Sequence, residues 1–219
     1  MLEGNDTLVE VLSRAAAFDL PGWYVAAGCL SQTVWNVLSD RPAGAGIKDY
    51  DLIYHDPADL SWEAEDIVIR AGAELFGDLP VPVEIRNEAR VHLWYQKKFG
   101  VACVPYDSSE AAIDTFPGMA CCVGVRSDRD GRWSVYAPYG LSDVFNRVVR
   151  PNPVQATREV YEAKAERWRS QWPDLTVIAW PSAPAPDRRV NRAGASGVSG
   201  ADARFEPVRP VGPAGERTA

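Results

Sequence analysis

Histidine is nearly absent from this chain, with two residues in 219. The four cysteines, Cys29, Cys103, Cys121 and Cys122, form no Cys-x-x-Cys pair. These shortages argue against a zinc centre, whose ligands are clustered Cys and His. Cys121 and Cys122 are neighbours and would face opposite sides of a strand. The thiols therefore read as reduced and mostly buried, as in a cytoplasmic protein. No apolar run approaches the roughly 20 residues of a membrane helix. Glu3, Asp6 and Glu10 stand where a secretory leader would need basic charge. The expectation is a cytoplasmic protein with no membrane partner. Basic charge is also in deficit: the formal net charge of -7 argues against indiscriminate binding of nucleic acid or anionic lipid.

Core-forming residues are plentiful. Hydrophobic side chains make up 46% of the chain, with eight Trp and eight Tyr, enough for one globular domain or one with a helical extension. Periodicity predicts helices over 7–18, 31–38, 61–75, 91–99, 108–116, 141–149 and 157–171. Asp6 or Thr7, Ser61, Ser108 or Ser109, and Ser142 are the candidate caps. Short apolar strands are expected over 23–27, 49–54 and 83–86. Segments 120–125 and 133–137 alternate across Asp128-Arg129-Asp130-Gly131, a hairpin signal. From 181 to 219 the chain turns rich in Pro, Ala, Gly, Ser and Arg. Such a segment buries too little apolar surface to offset its ordering entropy and is expected to be a disordered tail.

Asp49 and Asp51 flank Tyr50 in Ile47-Lys48-Asp49-Tyr50-Asp51-Leu52-Ile53-Tyr54-His55. A strand points residues i and i+2 to one face. Two carboxylates so placed repel unless a cation or a shared proton joins them. Their hard oxygens suit Mg²⁺ or Mn²⁺. Before them, Gly28 lies between a strand and a helix, where a glycine lets backbone approach a ligand and a helix N-terminus offers N–H groups to phosphate. After them comes Glu84, between Val83 and Ile85 on the third strand.

Three ordered segments carry a resemblance: Ala27-Gly28-Cys29-Leu30-Ser31-Gln32-Thr33-Val34-Trp35-Asn36, Lys48 to Asp56, and Val83 to Tyr95. Together they resemble a bacterial nucleotidyltransferase-like family of the DNA polymerase β-type superfamily, over most of 20–180. The resemblance implies an α+β fold, a palm-like mixed sheet flanked by helices. The palm is expected at 1–105, a C-terminal α/β extension packed on it at 106–180, and the tail at 181–219. It also implies that Asp49, Asp51 and Glu84 are catalytic and bind Mg²⁺ or Mn²⁺. Gly28, Cys29, Ser31, Lys48 and Arg90 are the expected nucleotide contacts. The chain departs from the superfamily at Cys29, where Gly or Ser is usual, and at Glu84, where Asp is common. A thiol donates a weaker hydrogen bond than a hydroxyl, and Ser31 is the candidate replacement.

The expected reaction moves a nucleoside monophosphate from an NTP donor to an unknown acceptor and releases pyrophosphate. The acidic charge favours a small-molecule or protein acceptor over long nucleic acid. Two alternatives stay open: a catalytically quiet nucleotide-binding or regulatory module, and a metal-dependent phosphohydrolase using the same carboxylates. Arg86, Asn87, Arg90 and His92 are candidates for orienting an acceptor. Trp35, Trp94 and Tyr95 are candidates for stacking on a base, with core packing the favoured reading.

Overall fold

The computed structural model describes residues 1–182, so the expectation of a disordered tail lies, beyond its first two residues, outside the described part. Helix α1 (Asp6–Phe18) buries Leu8, Val11, Leu12, Ala15 and Ala16 on one side. Its cap is Asn5 rather than Asp6 or Thr7: the Asn5 side chain accepts from the Leu8 N–H. Asn5 also donates to Thr33 and accepts from the Tyr50 hydroxyl, which ties the cap to two other elements. Strand β1 (Tyr24–Ala26) leads into α2 (Gly28–Leu38), and β2 (Tyr50–Tyr54) into α3 (Trp62–Phe76), capped by Ser61. Strand β3 (Val83–Asn87) is followed by a 3₁₀ turn, Glu88–Arg90, and by α4 (Val91–Phe99). Helix α5 (Ser109–Ile113) is capped by Ser108 and is shorter than its sequence suggests.

Strands β4 (Gly124–Ser127) and β5 (Trp133–Tyr136) form the expected hairpin, with Gly131 at φ +77° in its turn. The apolar run from residue 120 begins instead as a 3₁₀ turn, Met119–Cys121. The helix expected over 141–149 ends after one turn. Helix α6 (Ser142–Phe145) stops because Arg147 adopts φ 55°, and β6 (Val148–Val149) follows. Helix α7 (Arg158–Gln171) is capped by Thr157, and β7 (Thr176–Val177) pairs in parallel with β6.

The main sheet has the order β3-β2-β1-β4-β5. Strands β2 and β3 run parallel, and the other neighbours are antiparallel. The expected boundary at 105 falls inside this sheet, because β4 lies beyond it and pairs with β1. One face of the sheet turns Val25, Tyr50, Leu52, Tyr54, Ile85 and Val125 into the main core. The core continues through Trp35, which meets Trp168 and Trp172 edge-on at centroid distances of 5.9 and 5.6 Å. Trp172 donates to Asn36, so α7 is fixed against α2 by both packing and a hydrogen bond. Among the described residues no helix is long and apolar enough to cross a membrane.

Candidate active site

The second face of the sheet carries the candidate carboxylates. Alternation along β2 sends Asp51 and Ile53 away from Tyr50, Leu52 and Tyr54. Register then fixes Asp51's neighbours: Ala26 on β1 at one side and Glu84 on β3 at the other. Asp49 precedes the strand by one residue and is half-buried. Helix α5 covers the far part of this face through Ile113, which packs with Tyr24, Ala26, Ile53 and Cys122.

Asp51 is a strongly perturbed acid. Its carboxyl is pushed up to about 6, first by burial and then by the Asp49 charge. Lys164 opposes that shift, Glu84 adds to it and Arg86 opposes it. The carboxylate is thus crowded by two others, the situation a divalent cation relieves. Glu84 is exposed and lies 3.5 Å from Arg86, which also donates to the Ile85 carbonyl. Among the described residues no three His, Cys, Asp or Glu side chains are arranged to hold a metal ion by themselves. The donor chemistry still fits Mg²⁺, which typically takes one or two carboxylates and completes its shell with substrate phosphates and water. Asp49 and Asp51 are the residues that would hold it, with Glu84 alongside.

The turn before α2 is built by an unusual residue. Ala27 adopts φ 66°, ψ -139°, a conformation rarely taken by a residue with a side chain and costing about 1–3 kcal/mol. Its N–H is held by the Val123 carbonyl at 3.0 Å. Because β1 runs antiparallel to β2, the chain leaves the sheet here at the Asp49 end. Helix α2 then starts at Gly28 with no side chain capping its N-terminus. The sequence places this helix start three residues later, at Ser31. The strained Ala27 makes the turn itself, so Gly28 is already helical.

The remaining expected contacts divide. Gly28 sits at the turn, against Gln32 and Trp168. The Cys29 thiol points inward, donates to the Ala26 carbonyl at 3.2 Å, and is raised well above its ordinary range by burial. The buried Ser31 hydroxyl donates to the Ala120 carbonyl. Neither side chain extends from the turn, which leaves backbone N–H groups as the donors there. Lys48 is exposed beside Asp49. Arg90 is not brought to this face. It is buried against Glu65 of α3, donates to the Leu60 carbonyl, and stacks on Trp62 at 5.7 Å. Glu65 also accepts from the Asn87 N–H, so the pair pins α3 to the end of β3.

Trp35 is wholly buried in the core, while Trp94 and Tyr95 pack with Phe99 on α4. His55 bonds the Tyr106 carbonyl at 2.8 Å through Nε2. Two cations escape the sequence reading. Lys164 of α7 lies close enough to Asp51 for its charge to lower that carboxyl, and Lys164 and Arg167 both oppose the raising of the Cys121 thiol. In sequence they are two basic residues among the Glu, Lys and Arg of a charged helix, and only the docking of α7 singles them out. An apolar cavity of about 320 Å³, lined by Leu2, Leu30, Val34, Val123, Trp133 and Val144, lies elsewhere, and none of the three acids lines it.

Known proteins place this arrangement. A solved NMR structure described as a CCA-adding enzyme head domain is 25% identical, with a TM-score of 0.66. The match covers 82% of this chain and 94% of that one. A tRNA-processing enzyme in an apo form is 13% identical over 81% of this chain and 45% of its own, with a TM-score of 0.48. No curated protein matches. Residues 13–177 match the family described as Nucleotidyltransferase, and the chain belongs to the nucleotidyltransferase family, of the polymerase β type.

Proposed function

We propose that the protein is a Mg²⁺- or Mn²⁺-dependent nucleotidyltransferase that moves a nucleoside monophosphate from an NTP to a hydroxyl-bearing acceptor. One observation carries the reading: Asp51 lies between Glu84 and the uncapped N-terminus of α2 on one open face, with Lys164 opposite. The α2 N–H groups receive the β- and γ-phosphates. Lys164 and Arg167 approach the same phosphates from α7 and offset their charge. Asp49 and Asp51 would hold the cation. When bound, the cation supplies Lewis-acid charge to the phosphate oxygens. Glu84 stands beside the attacking position and takes the acceptor's hydroxyl proton. The acceptor oxygen forms a bond to the α-phosphorus. The bond from that phosphorus to the bridging oxygen breaks, and pyrophosphate leaves with the electron pair.

A second reading, a nucleotide-binding module without turnover, is favoured by one observation: the Cys29 thiol and Ser31 hydroxyl are both turned away from the phosphate turn. The experiment is to incubate the protein with Mg²⁺ or Mn²⁺, each α-labelled NTP, and cell extract as the acceptor source. The transferase reading expects label on an acceptor, lost in Asp49→Ala and Asp51→Ala. Binding without transfer supports the module, and release of free nucleoside monophosphate alone supports hydrolysis. If neither metal nor NTP shifts the melting temperature, both nucleotide readings fail.

A further inference from the structure

Trp168 of α7 keeps a buried donor unused. The side chain is 2% exposed, and its Nε1–H has no hydrogen-bond partner among the described residues. The other two tryptophans of the cluster are satisfied: Trp35 donates to the Val144 carbonyl at 3.1 Å and Trp172 to the Asn36 side chain at 2.9 Å. Buried donors are ordinarily paired, so the Trp168 N–H calls for an acceptor. The ring's surroundings locate it. Gly28 opens α2, and a Cβ built on Gly28 would stand 4.0 Å from Cζ2 of Trp168, the carbon next to the one that bears Nε1. The far end of the ring, Cζ3 and Cη2, lies against Gly118. Gln32, one turn into α2, leans back over the same spot, with Nε2 2.7 Å from the Gly28 Cβ position. The orphan donor therefore stands at the first turn of α2, beside the one residue there that has no side chain, under a flexible amide.

The groups gathered at this turn are donors. The first N–H groups of α2 have no side-chain cap, the indole N–H can only donate, and the Gln32 amide brings its NH₂ end to Gly28. A phosphoryl group, with several strong acceptor oxygens and negative charge, matches that set and the positive end of the helix dipole. The side chains expected to supply donors here, Cys29 and Ser31, are spent on the Ala26 and Ala120 carbonyls. We propose that Trp168 takes their place as a phosphate-binding residue: its Nε1–H donates to an oxygen of the pyrophosphoryl group seated on the α2 N-terminus, and the Gln32 amide turns aside from Gly28 to admit that oxygen. This assignment rests on the transferase reading and adds to it a neutral donor from a second helix. The donor is fixed before the ligand arrives, because Trp168 meets Trp35 edge-on at 5.9 Å and α7 is tied to α2 through Trp172 and Asn36. The bound phosphate chain thus bridges α2 and α7.

The test uses inorganic pyrophosphate, α,β-methylene-ATP and AMP as probes, each with Mg²⁺, on the full chain isotopically labelled at its indole nitrogens. The indole N–H signals are followed by NMR, that of Trp168 being identified by its contacts with the Trp35 ring. Pyrophosphate and α,β-methylene-ATP are expected to move the Trp168 signal downfield, as a new hydrogen bond does. AMP, which has no pyrophosphoryl group, should leave it in place. By calorimetry Trp168→Phe, which keeps a ring in the cluster and removes the donor, is expected to weaken pyrophosphate and α,β-methylene-ATP roughly tenfold or more and AMP less than about twofold. A Trp168 signal unmoved by bound pyrophosphate, or an unchanged pyrophosphate affinity in folded Trp168→Phe, would overturn the assignment. Where the variant does not fold, the wild-type signal alone decides. Failure of the transferase reading looks different and takes the assignment with it: neither pyrophosphate nor α,β-methylene-ATP then binds the wild type.

Discussion

Two residues near the end of β3 show how burial decides between roles. Arg90 follows the third acid closely in sequence, which invites a phosphate role, yet its guanidinium is buried against Glu65. Removing one member of a buried ion pair leaves the other charge uncompensated and costs about 3–5 kcal/mol. Arg90→Ala is therefore expected to lower thermal stability sharply, and denaturant unfolding of the nucleotide-free protein will show it. A loss of ATP binding at unchanged stability would count against this role. Glu88 offers a pH test of the same kind. Burial, then the Asp51 charge, raises its carboxyl from 4.5 to about 8, against a lowering by Arg86. The folded state thus holds this proton more tightly than the unfolded chain does. Stability from this group is full below the ordinary carboxyl range and falls as pH rises through that range to about 8. Unfolding curves between pH 5 and 9 should show the decline, and Glu88→Gln should flatten it. Residue identity announced the carboxylates, but nothing in the sequence separates Glu88 from Glu84, because burial is a property of the fold.

At the scale of elements, most of the local structure was legible. Helices α1, α3, α4 and α7 and strands β2 and β3 follow from periodicity, and α3 also from its Ser61 cap. The failures sit at residues in left-handed or strained backbone. Ala27 starts α2 early and Arg147 ends α6 early, and neither residue type signals a positive φ. The largest functional surprise is α7. Its amphipathic pattern marks Tyr161, Ala165 and Trp168 as buried, but not what the flanking cations face. Since the Lys164 charge reaches Asp51, the double variant Lys164→Ala/Arg167→Ala is expected to weaken binding of α,β-methylene-ATP roughly tenfold or more. AMP binding should fall much less, because the lost charges serve the β- and γ-phosphates. Calorimetry with both ligands distinguishes this from a general collapse of the site.

For the whole molecule, the site is an assembly rather than a palm with an appendage. Strand β4 pairs with β1, and α7 closes on α2 through Trp35, Trp168 and Trp172. A fragment ending at residue 105 loses both. It leaves β1 as an unpaired edge and Trp35 without its ring partners, so no cooperative unfolding transition is expected by circular dichroism. A fragment ending at residue 182 keeps every described element and should melt cooperatively. The sequence by itself determined the α+β class and the nucleotidyltransferase resemblance and singled out Asp49, Asp51 and Glu84, of which Asp51 and Glu84 are register partners on β2 and β3, since strand alternation and residue chemistry act locally. Tertiary structure alone decided that Cys29 and Ser31 turn inward, that Arg90 is buried against Glu65, that the Lys164 charge reaches Asp51 and that Glu88 is buried. Those outcomes depend largely on what packs against each side chain from elements distant in sequence, and no local pattern encodes that.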